Sequence, residues 1–263
     1  MKHTLLAGLT VLALLAAPQV GTAFSPAAKP AARPPLEQPA PLRGVPERIV
    51  RHTGYVLSFN SQTLCPNWSA WELTAAETEG TERRFTEFLP DPQLPMAQQV
   101  TTYDYKGSGY DRGHMCPSAD MKWSPVAQRE CFYLSNICPQ DRSLNSGAWS
   151  KLEKACRRWA QQEGKVYIVC GPVFDKQRKH LTIGRDLRIQ VPNGFFKVVL
   201  STRRGGEKAI GFYYSNRDSR QTMDEAAMSV DQVERLTGMD FFPQLNDALE
   251  KRVEADYNLR AWR

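Results

Sequence analysis

The sequence lacks several features that would assign it to a common class of protein. It has no Cys-x-x-Cys pair, and its six cysteines are widely and irregularly spaced, which argues against a structural zinc site. Its N-terminal apolar run, Leu5 to Ala17, is shorter than the roughly 20 residues of an ordinary membrane span. No internal repeat, recognition helix, zinc finger or aromatic ribonucleoprotein motif is present. A membrane-spanning protein or a protein that reads bases is therefore not indicated.

The N-terminus predicts two segments that precede the folded domain. Residues 1–23 combine a basic start at Lys2, an apolar stretch and small residues at the end, the pattern of a cleaved export signal. An uncleaved interfacial anchor is the alternative. Residues 24–48 contain seven prolines and few large apolar side chains, so we expect a disordered tether rich in proline and alanine. We therefore expect a secreted or periplasmic protein, with no stable membrane association after signal removal.

The remaining residues, 49–263, suit a single domain with a substantial core. Segments with β-branched and aromatic character outnumber helical ones, and short connections dominate. We therefore predict an α+β fold, with a mainly antiparallel central sheet flanked by helices. The predicted strands are residues 52–59, 68–73, 130–137, 165–173, 188–191, 195–201 and 209–214.

Two helices are predicted from apolar spacing and capping residues. Residues 146–163 place four apolar side chains on one stripe and end at Gly164. Asn145 lies at the entrance of this helix, while Glu153 and Arg157 flank the stripe one turn apart. A capping box at Ser229 opens a second helix that ends before Gly238. The stripe consists of Trp149, Leu152, Cys156 and Trp159.

All six cysteines lie beyond the predicted signal. An even number in an exported chain favours disulfides, whose pairing the sequence does not determine. A zinc site, or free buried thiols for one or two of them, are the alternatives. The cysteines are Cys65, Cys116, Cys131, Cys138, Cys156 and Cys170.

The segment Asp111-Arg-Gly-His114 carries the strongest chemical signal. A neutral His114 can take a proton from water near physiological pH. Asn145 and Glu153 offer the hard oxygen ligands that Mg²⁺ prefers, and Arg157 can bind phosphate through its planar guanidinium. A base, a hard-metal ligand and a phosphate-binding group indicate metal-assisted cleavage of a phosphodiester.

Four motifs in this order resemble the DNA/RNA non-specific endonuclease family, the ββα-metal nucleases of endonuclease G type. They are Asp111-Arg-Gly-His114, Tyr133-Leu-Ser-Asn-Ile-Cys-Pro-Gln140, Asn145-Ser-Gly-Ala-Trp149 and Leu152-Glu153. The likeness extends from Tyr55 to the segment 237–243, which is nearly the whole domain. It implies a ββα-metal active-site motif and an exported, Mg²⁺-dependent, sugar-non-specific endonuclease. Such an enzyme would hydrolyse DNA and RNA to 5′-phosphate products.

The resemblance also implies a role for each matching residue. His114 would be the general base, Asn145 the direct protein ligand of one Mg²⁺ ion (with Mn²⁺ as an alternative metal), and Glu153 a holder of metal-bound water. Arg112 and Arg157 would bind phosphate and shape the site.

One further arginine is expected upstream of the motif. Arg84 fits best by its distance from Phe88, and Arg83 remains an alternative. Cys116 departs from the small or aliphatic residue of many relatives, and a bridge from Cys116 or Cys138 would make activity depend on oxidation.

Each of these residues also has a purely structural interpretation. His114 could be a hydrogen-bonded core histidine, Asn145 a helix cap, and Glu153 with Arg157 a solvated ion pair. The combination at short range favours catalysis. His52 and His180 are expected to be structural or at the surface.

The basic balance favours DNA and RNA as substrates. The formal charge is +6 and the pI about 9.0, so we expect binding to polyanions that weakens with salt. Two competing functions remain: a secreted basic protein that binds DNA without cutting it, and a phosphodiesterase for small or lipid substrates with a deep apolar pocket. A homodimer is left open. The basic clusters include Arg142, Lys151, Lys154, Arg158, Lys176, Arg178, Lys179, Arg203 and Arg204.

Overall fold

The computed structural model describes residue 1 and residues 34–175, 177, 180–217 and 220–262. The predicted export signal, apart from residue 1, and residues 24–33 of the predicted tether lie outside the described residues. The same is true of Lys176, Arg178 and Lys179 in one predicted basic cluster. From Pro34 onwards the chain belongs to one structural unit.

A seven-stranded sheet forms the centre of this unit. The strands of the chain are β1 (Arg48–Arg51), β2 (Val56–Asn60), β3 (Cys65–Thr74), β4 (Asp111–His114), β5 (Ile137–Gln140), β6 (Lys165–Val173), β7 (Thr182–Ile183), β8 (Ile189–Gln190), β9 (Gly194–Ser201), β10 (Lys208–Ser215) and β11 (Ala227–Met228). The central order is β1-β2-β3-β6-β9-β10-β11, and every neighbouring pair is antiparallel. β4 with β5 and β7 with β8 form two separate antiparallel ribbons. The predicted antiparallel sheet is confirmed.

Helices pack against both faces of the sheet. They are α1 (Thr102–Tyr105), α2 (Pro125–Glu130), α3 (Arg142–Leu144), α4 (Ser150–Glu163), α5 (Met223–Ala226), α6 (Val230–Thr237) and α7 (Asp247–Glu254). Short 3-10 turns occupy Ala76–Glu79, Met96–Gln98, Ser118–Asp120, Leu134–Asn136 and Leu259–Trp262. Within the described ranges, none of these helices combines the length and the apolarity needed to cross a bilayer.

Strand β9 shows how the sheet separates two cores. Successive side chains of a strand point to opposite faces. Phe195 and Val199 belong to a core shared with β5 and α4, whereas Phe196 and Val198 belong to a second core shared with α6 and α7. We call these sides of the sheet the front face and the back face. Helices on an antiparallel sheet make this an α+β fold, as predicted.

Helix α4 follows the predicted apolar stripe. Leu152, Cys156 and Trp159 are buried on the front face, and each fully buried side chain of this size contributes roughly 1.5–3 kcal/mol. Gly164 ends the helix with a φ of 85°, a conformation that favours glycine. The helix begins at Ser150 rather than at the predicted residue 146, because residues 145–149 form a π-helical turn that Gly147 opens with φ −100° and ψ −106°.

The predicted strand at residues 130–137 is wrong over most of its length. Ser124 caps α2 by accepting a hydrogen bond from the backbone N of Ala127. Apart from one isolated bridge between Tyr133 and Leu89, strand pairing begins at Ile137. The side chain of Asn136 donates to the carbonyl groups of both Cys116 and Cys131 at 2.9 Å. This amide holds the chain in a 3-10 turn, although the apolar residues of the segment are buried as a strand would bury them.

The predicted disulfides are contradicted, because all six cysteines are free and buried. The thiol of Cys170 donates to the carbonyl oxygen of Met115 at 3.1 Å, and that of Cys131 donates to the carbonyl oxygen of Gln128 at 3.2 Å. Burial raises the pKa of Cys156 to about 12 and that of Cys170 to about 11. These thiols fill the core as small apolar groups, and neither Cys116 nor Cys138 forms the proposed bridge.

Part of the predicted tether packs against the domain. Leu36 and Leu42 contact the core of the back face, and Pro39 is buried. The backbone N of Ala40 donates to the carbonyl oxygen of Asp240 at 3.0 Å. Residues 36–42 can order in spite of their proline content, because the back face offers apolar surface to the two leucines.

Candidate active site

A ribbon of two short strands followed by a helix presents the predicted motif on the front face. β4 pairs with β5 so that His114 lies opposite Ile137 and Asp111 lies opposite Gln140. A side chain at Gly113 would overlap the side chain of Gln140, so the glycine of the motif is required by packing. The chain then passes through α3 and the π-helical turn into α4, which completes a ββα unit.

His114 occupies a nearly closed aromatic pocket. Only 8% of the residue is exposed, and its ring meets the ring of Phe132 edge-on at 4.7 Å and that of Phe88 at 5.3 Å. The indole Nε1 of Trp149 donates to the backbone carbonyl of His114 at 3.3 Å, which ties β4 to the start of α4. The ring nitrogen Nε2 is buried and has no hydrogen-bond partner among the described residues.

Two arginines flank this imidazole. The guanidinium of Arg112 lies 4.5 Å from the ring centre of Phe88, and that of Arg84 lies 5.0 Å from the ring centre of Phe132. Burial lowers the pKa of His114 to about 3, and the charges of Arg84 and Arg112 act in the same direction. The imidazole is therefore neutral at physiological pH.

Arg84 is held in place by the 3-10 turn that follows β4. Its Nη1 donates to the hydroxyl of Ser118 at 2.9 Å, and Ser118 in turn donates to the side-chain oxygen of Gln128 at 2.9 Å. The contacts described above bring Arg84, rather than the alternative Arg83, to the edge of the histidine pocket.

Asn145 lies at the beginning of the π-helical turn, partly exposed. Its Nδ2 donates to the carboxylate of Asp111 at 3.1 Å, and the other oxygen of Asp111 accepts from Arg142 at 3.2 Å. Asp141 caps the preceding turn by accepting from the backbone N of Ser143 at 2.8 Å. Because the amide nitrogen is committed to Asp111, the amide oxygen is left for another ligand.

Glu153 and Arg157 do not form the simple ion pair that their spacing suggests. Arg157 instead donates to Asp120 at 2.7 Å, and the indole of Trp71 donates to the same carboxylate at 3.1 Å. Burial raises the pKa of Glu153 to about 7; Lys197 opposes this shift and Asp120 adds to it. The carboxyl group of Glu153 thus lies where a further positive charge would be favourable.

Sequence reasoning missed Asp120 and Lys197. Lys197 is 1% exposed, and its Nζ lies 4.6 Å from the ring centre of Trp149 and 5.1 Å from that of Trp71. Burial opposes the charge of Lys197, but nearby acidic groups, including Glu153 and Asp120, raise its pKa. A single lysine within the apolar strand at residues 194–201 was the available signal.

His52 has the structural position expected for it. Its Nε2 lies 3.1 Å from the carboxylate of Asp91, and both side chains are fully buried. This pair joins the start of the sheet to the loop before β4. Among the described residues, no hydrogen bond or ring contact links His52 or Asp91 to His114.

Comparisons with known proteins agree with this geometry. A sequence model of the family "DNA/RNA non-specific endonuclease" matches residues 37–248. "Nuclease EXOG, mitochondrial" of Xenopus laevis is 34% identical over 232 residues, 82% of this chain and 64% of the relative. "Endonuclease G, mitochondrial" of Homo sapiens is 31% identical over 203 residues, 73% of this chain and 68% of the relative. A solved EndoG/EndoGI complex contains a chain with a TM-score of 0.70 and 28% identity, covering 76% of this chain and 87% of that chain.

Two facts limit and correct the predictions. The chain spans only 59–64% of the length of the EXOG nucleases of Xenopus laevis, Mus musculus and Homo sapiens. These EXOG nucleases, human endonuclease G and "Nuclease 1, mitochondrial" of Schizosaccharomyces pombe are all named as mitochondrial, so the predicted secreted or periplasmic location is wrong. The family match covers most of the chain, and the relatives exceed 30% identity. The chain therefore belongs to the DNA/RNA non-specific endonuclease family, the family that its motifs predict.

Proposed function

We propose that this chain is a metal-dependent, sugar-non-specific endonuclease that hydrolyses phosphodiester bonds in DNA and RNA and leaves 5′-phosphate products. The observation that carries the proposal is the buried, unpartnered Nε2 of a neutral His114 beside two arginines. A buried polar atom without a partner is costly, so its retention favours a role with substrate or water.

His114 is the general base in this proposal. A neutral imidazole has one nitrogen that can accept the proton of an attacking water, and general-base assistance of this kind contributes about 10²–10⁴-fold. In the free chain, burial holds the pKa of His114 down, and the charges of Arg84 and Arg112 lower it further. A bound phosphate would offset both positive charges and raise this pKa, which makes His114 a better base once substrate is present.

Arg84 and Arg112 bind phosphate in this proposal. Arg157, whose side chain is mostly buried, is a third phosphate-binding residue. Arg112 is exposed and stacks on Phe88, so its guanidinium is oriented while its donors stay accessible. Arg157 spends one donor on Asp120, and its fixed fork still has other N–H groups. Because these arginines would contact phosphate rather than the bases or the 2′ oxygen, the enzyme would accept both DNA and RNA.

The residues present fit a hard divalent cation. Asn145 would hold Mg²⁺, with Mn²⁺ as a substitute, through the amide oxygen that its hydrogen bond to Asp111 leaves available. Glu153 would orient water on the ion, and burial raises the pKa of this carboxyl in spite of the nearby positive charge of Lys197. When bound, the ion would stabilise negative charge on the phosphate and on the departing oxygen.

The decisive experiment is digestion of supercoiled plasmid, single-stranded DNA and RNA across a Mg²⁺ titration, with a chelator control. We expect cleavage of all three substrates, product 5′-phosphates by end labelling, and loss of cleavage in chelator. His114→Ala should bind DNA in a gel shift but not cut it, and Asn145→Ala should weaken rate and metal response together. DNA binding by the wild type without metal-dependent cleavage would overturn the proposal in favour of a binding protein.

A further inference from the structure

A group of three carboxyl groups lies on the back face, on the opposite side of the sheet from His114. Asp231 and Glu234 are three residues apart on α6 and therefore share one side of that helix. Glu254 is the last residue of α7. One oxygen from each of these three carboxyl groups lies within 4.8 Å of the other two. We call this group the back-face carboxylate cluster.

Glu254 lacks what a buried carboxylate needs. The residue is only 5% exposed, and its Oε1 has no hydrogen-bond partner among the described residues. Glu234, by contrast, accepts a hydrogen bond from the backbone N of Phe241 at 2.8 Å. An unpaired buried carboxylate is strongly unfavourable, so either a cation or a bound proton must compensate its charge.

The surrounding charges do not provide this compensation. None of the ion pairs formed by the described residues involves Asp231, Glu234 or Glu254. The basic residues of these two helices are Arg235 and Lys251, which are exposed, and Arg252, which pairs with Glu207.

Further negative charge surrounds the cluster. Burial raises the pKa of Glu254 to about 9, and the charges of Glu234, Glu250, Asp231 and Asp240 act in the same direction. Glu254 also ends its helix, where the helix dipole disfavours a negative charge.

The arrangement of oxygens suits a specific kind of ligand. Carboxylate oxygens are the preferred ligands of hard divalent cations, and Ca²⁺ binds them at about 2.3–2.6 Å. The three oxygens of the cluster all lie within 4.8 Å of one another, so they are close enough to contact one such ion.

We propose that Asp231, Glu234 and Glu254 form a binding site for a hard divalent cation such as Ca²⁺, separate from the catalytic site. The ion would join α6 to the end of α7 and neutralise the buried carboxylate. Its role is structural, because the sheet lies between the cluster and His114. A proton shared among the three carboxyl groups is the competing explanation, and it makes a different prediction.

Thermal unfolding of the full chain in chelator and then in millimolar Ca²⁺ tests the site. A ligand present at about 100 times its Kd should raise the Tm of a chain of this size by roughly 5–10 °C. Glu254→Gln should show a Tm in chelator at or above that of the wild type, because it removes the repulsion, and this Tm should not respond to Ca²⁺. Glu250→Gln is the matched control: it removes a neighbouring charge but no ligand and should retain the response.

The same measurements in an Asn145→Ala background separate this site from the catalytic one. The Ca²⁺ response should persist there and disappear when Glu254→Gln is added, with Asp231→Asn as a second variant should Glu254→Gln not fold. Two results would overturn the site. One is a Ca²⁺ response that Glu254→Gln and Asp231→Asn leave intact. The other is a wild-type Tm that does not respond to Ca²⁺. If the Tm of Glu254→Gln is then higher than that of the wild type, a proton shared among the carboxyl groups explains the cluster.

Discussion

Asp111 holds the side-chain amide of Asn145 through a hydrogen bond of 3.1 Å from Nδ2 to the carboxylate. This contact joins the first residue of the Asp-Arg-Gly-His motif to the start of the helix that follows it. It fixes which end of the amide faces the site, and in the proposed function the oxygen is the end that binds the metal.

Asp111→Ala should therefore weaken the metal response without removing a metal ligand. Loss of a residue that orients a ligand typically costs about 10–100-fold in metal affinity. We expect the Mg²⁺ concentration for half-maximal plasmid cleavage to rise by about this factor. Arg142→Ala is the control, because Arg142 bonds the other oxygen of Asp111 from an exposed position. An unchanged Mg²⁺ requirement in Asp111→Ala would contradict the proposed orienting role.

The low pKa of His114 predicts a loss of stability in acid. The folded chain has a pKa of about 3 at this residue, whereas a free imidazole titrates at about 6.5. On acidification the unfolded chain therefore takes up a proton that the folded chain refuses. The stabilising contribution is complete above about pH 6.5 and is lost progressively as the pH falls towards about 3.

His114→Gln removes this dependence and isolates it from other groups. Between about pH 6.5 and 4, the free energy of unfolding should fall by about 2–3 kcal/mol more in the wild type than in His114→Gln. Denaturant titrations at several pH values measure this difference. Parallel pH profiles of the two proteins would show that His114 titrates normally in the folded chain.

Lys197→Met tests whether the buried lysine positions the charge of Glu153. Removing one member of a buried charge group typically costs about 3–5 kcal/mol, so a lower Tm is expected. The specific expectation is a higher pKa for Glu153, because Lys197 is the largest influence that lowers it. The metal requirement for cleavage should then rise more between pH 8 and pH 6 than it does in the wild type.

Lys208→Met is the matched control for this effect. Lys208 is also partly buried, lies 4.7 Å from the ring centre of Trp262 and pairs with Glu163 at 2.7 Å. The Lys208→Met variant should have a lower Tm but the same pH dependence of the metal requirement as the wild type. A Lys197→Met variant that behaves in the same way would reduce Lys197 to a packing role.

The free cysteines predict that activity does not depend on oxidation. All six are buried, and burial raises the pKa of Cys116, Cys131, Cys138, Cys156 and Cys170. A thiol-specific reagent should label about six thiols only after unfolding, and reductant should leave Tm and cleavage rate unchanged. A fall in Tm on reduction would reinstate the disulfide that the sequence suggested.

Local patterns predicted what local forces determine. The stripe of α4, the β-branched and aromatic residues of β6, β9 and β10, and the Ser229 capping box all depend on neighbours in sequence, and the predicted elements were found. His114 and Asn145 were found through a motif whose residues are close in the chain.

Contacts between distant segments were not predictable in this way. Asp120 reaches Arg157 across 37 positions, and Asn136 organises a turn by bonding to Cys116 across 20 positions. The apolar residues of 131–134 would be buried in a strand and are also buried in the observed turn. Their apolar character therefore does not distinguish the two, and a strand was wrongly predicted there. The disulfide prediction failed because an even number of cysteines was interpreted through an expected compartment rather than through packing.

The division of β9 between two cores has a practical meaning for altering this protein. Phe195 and Val199 support the machinery that contacts nucleic acid in the proposed function, while Phe196 and Val198 support only the helices behind it. Residues on helices of opposite faces, such as Leu152 on α4 and Val253 on α7, belong to different cores, so the effects of substituting them on folding free energy should sum. Substitutions in the core of the back face could thus raise the Tm without changing the cleavage rate.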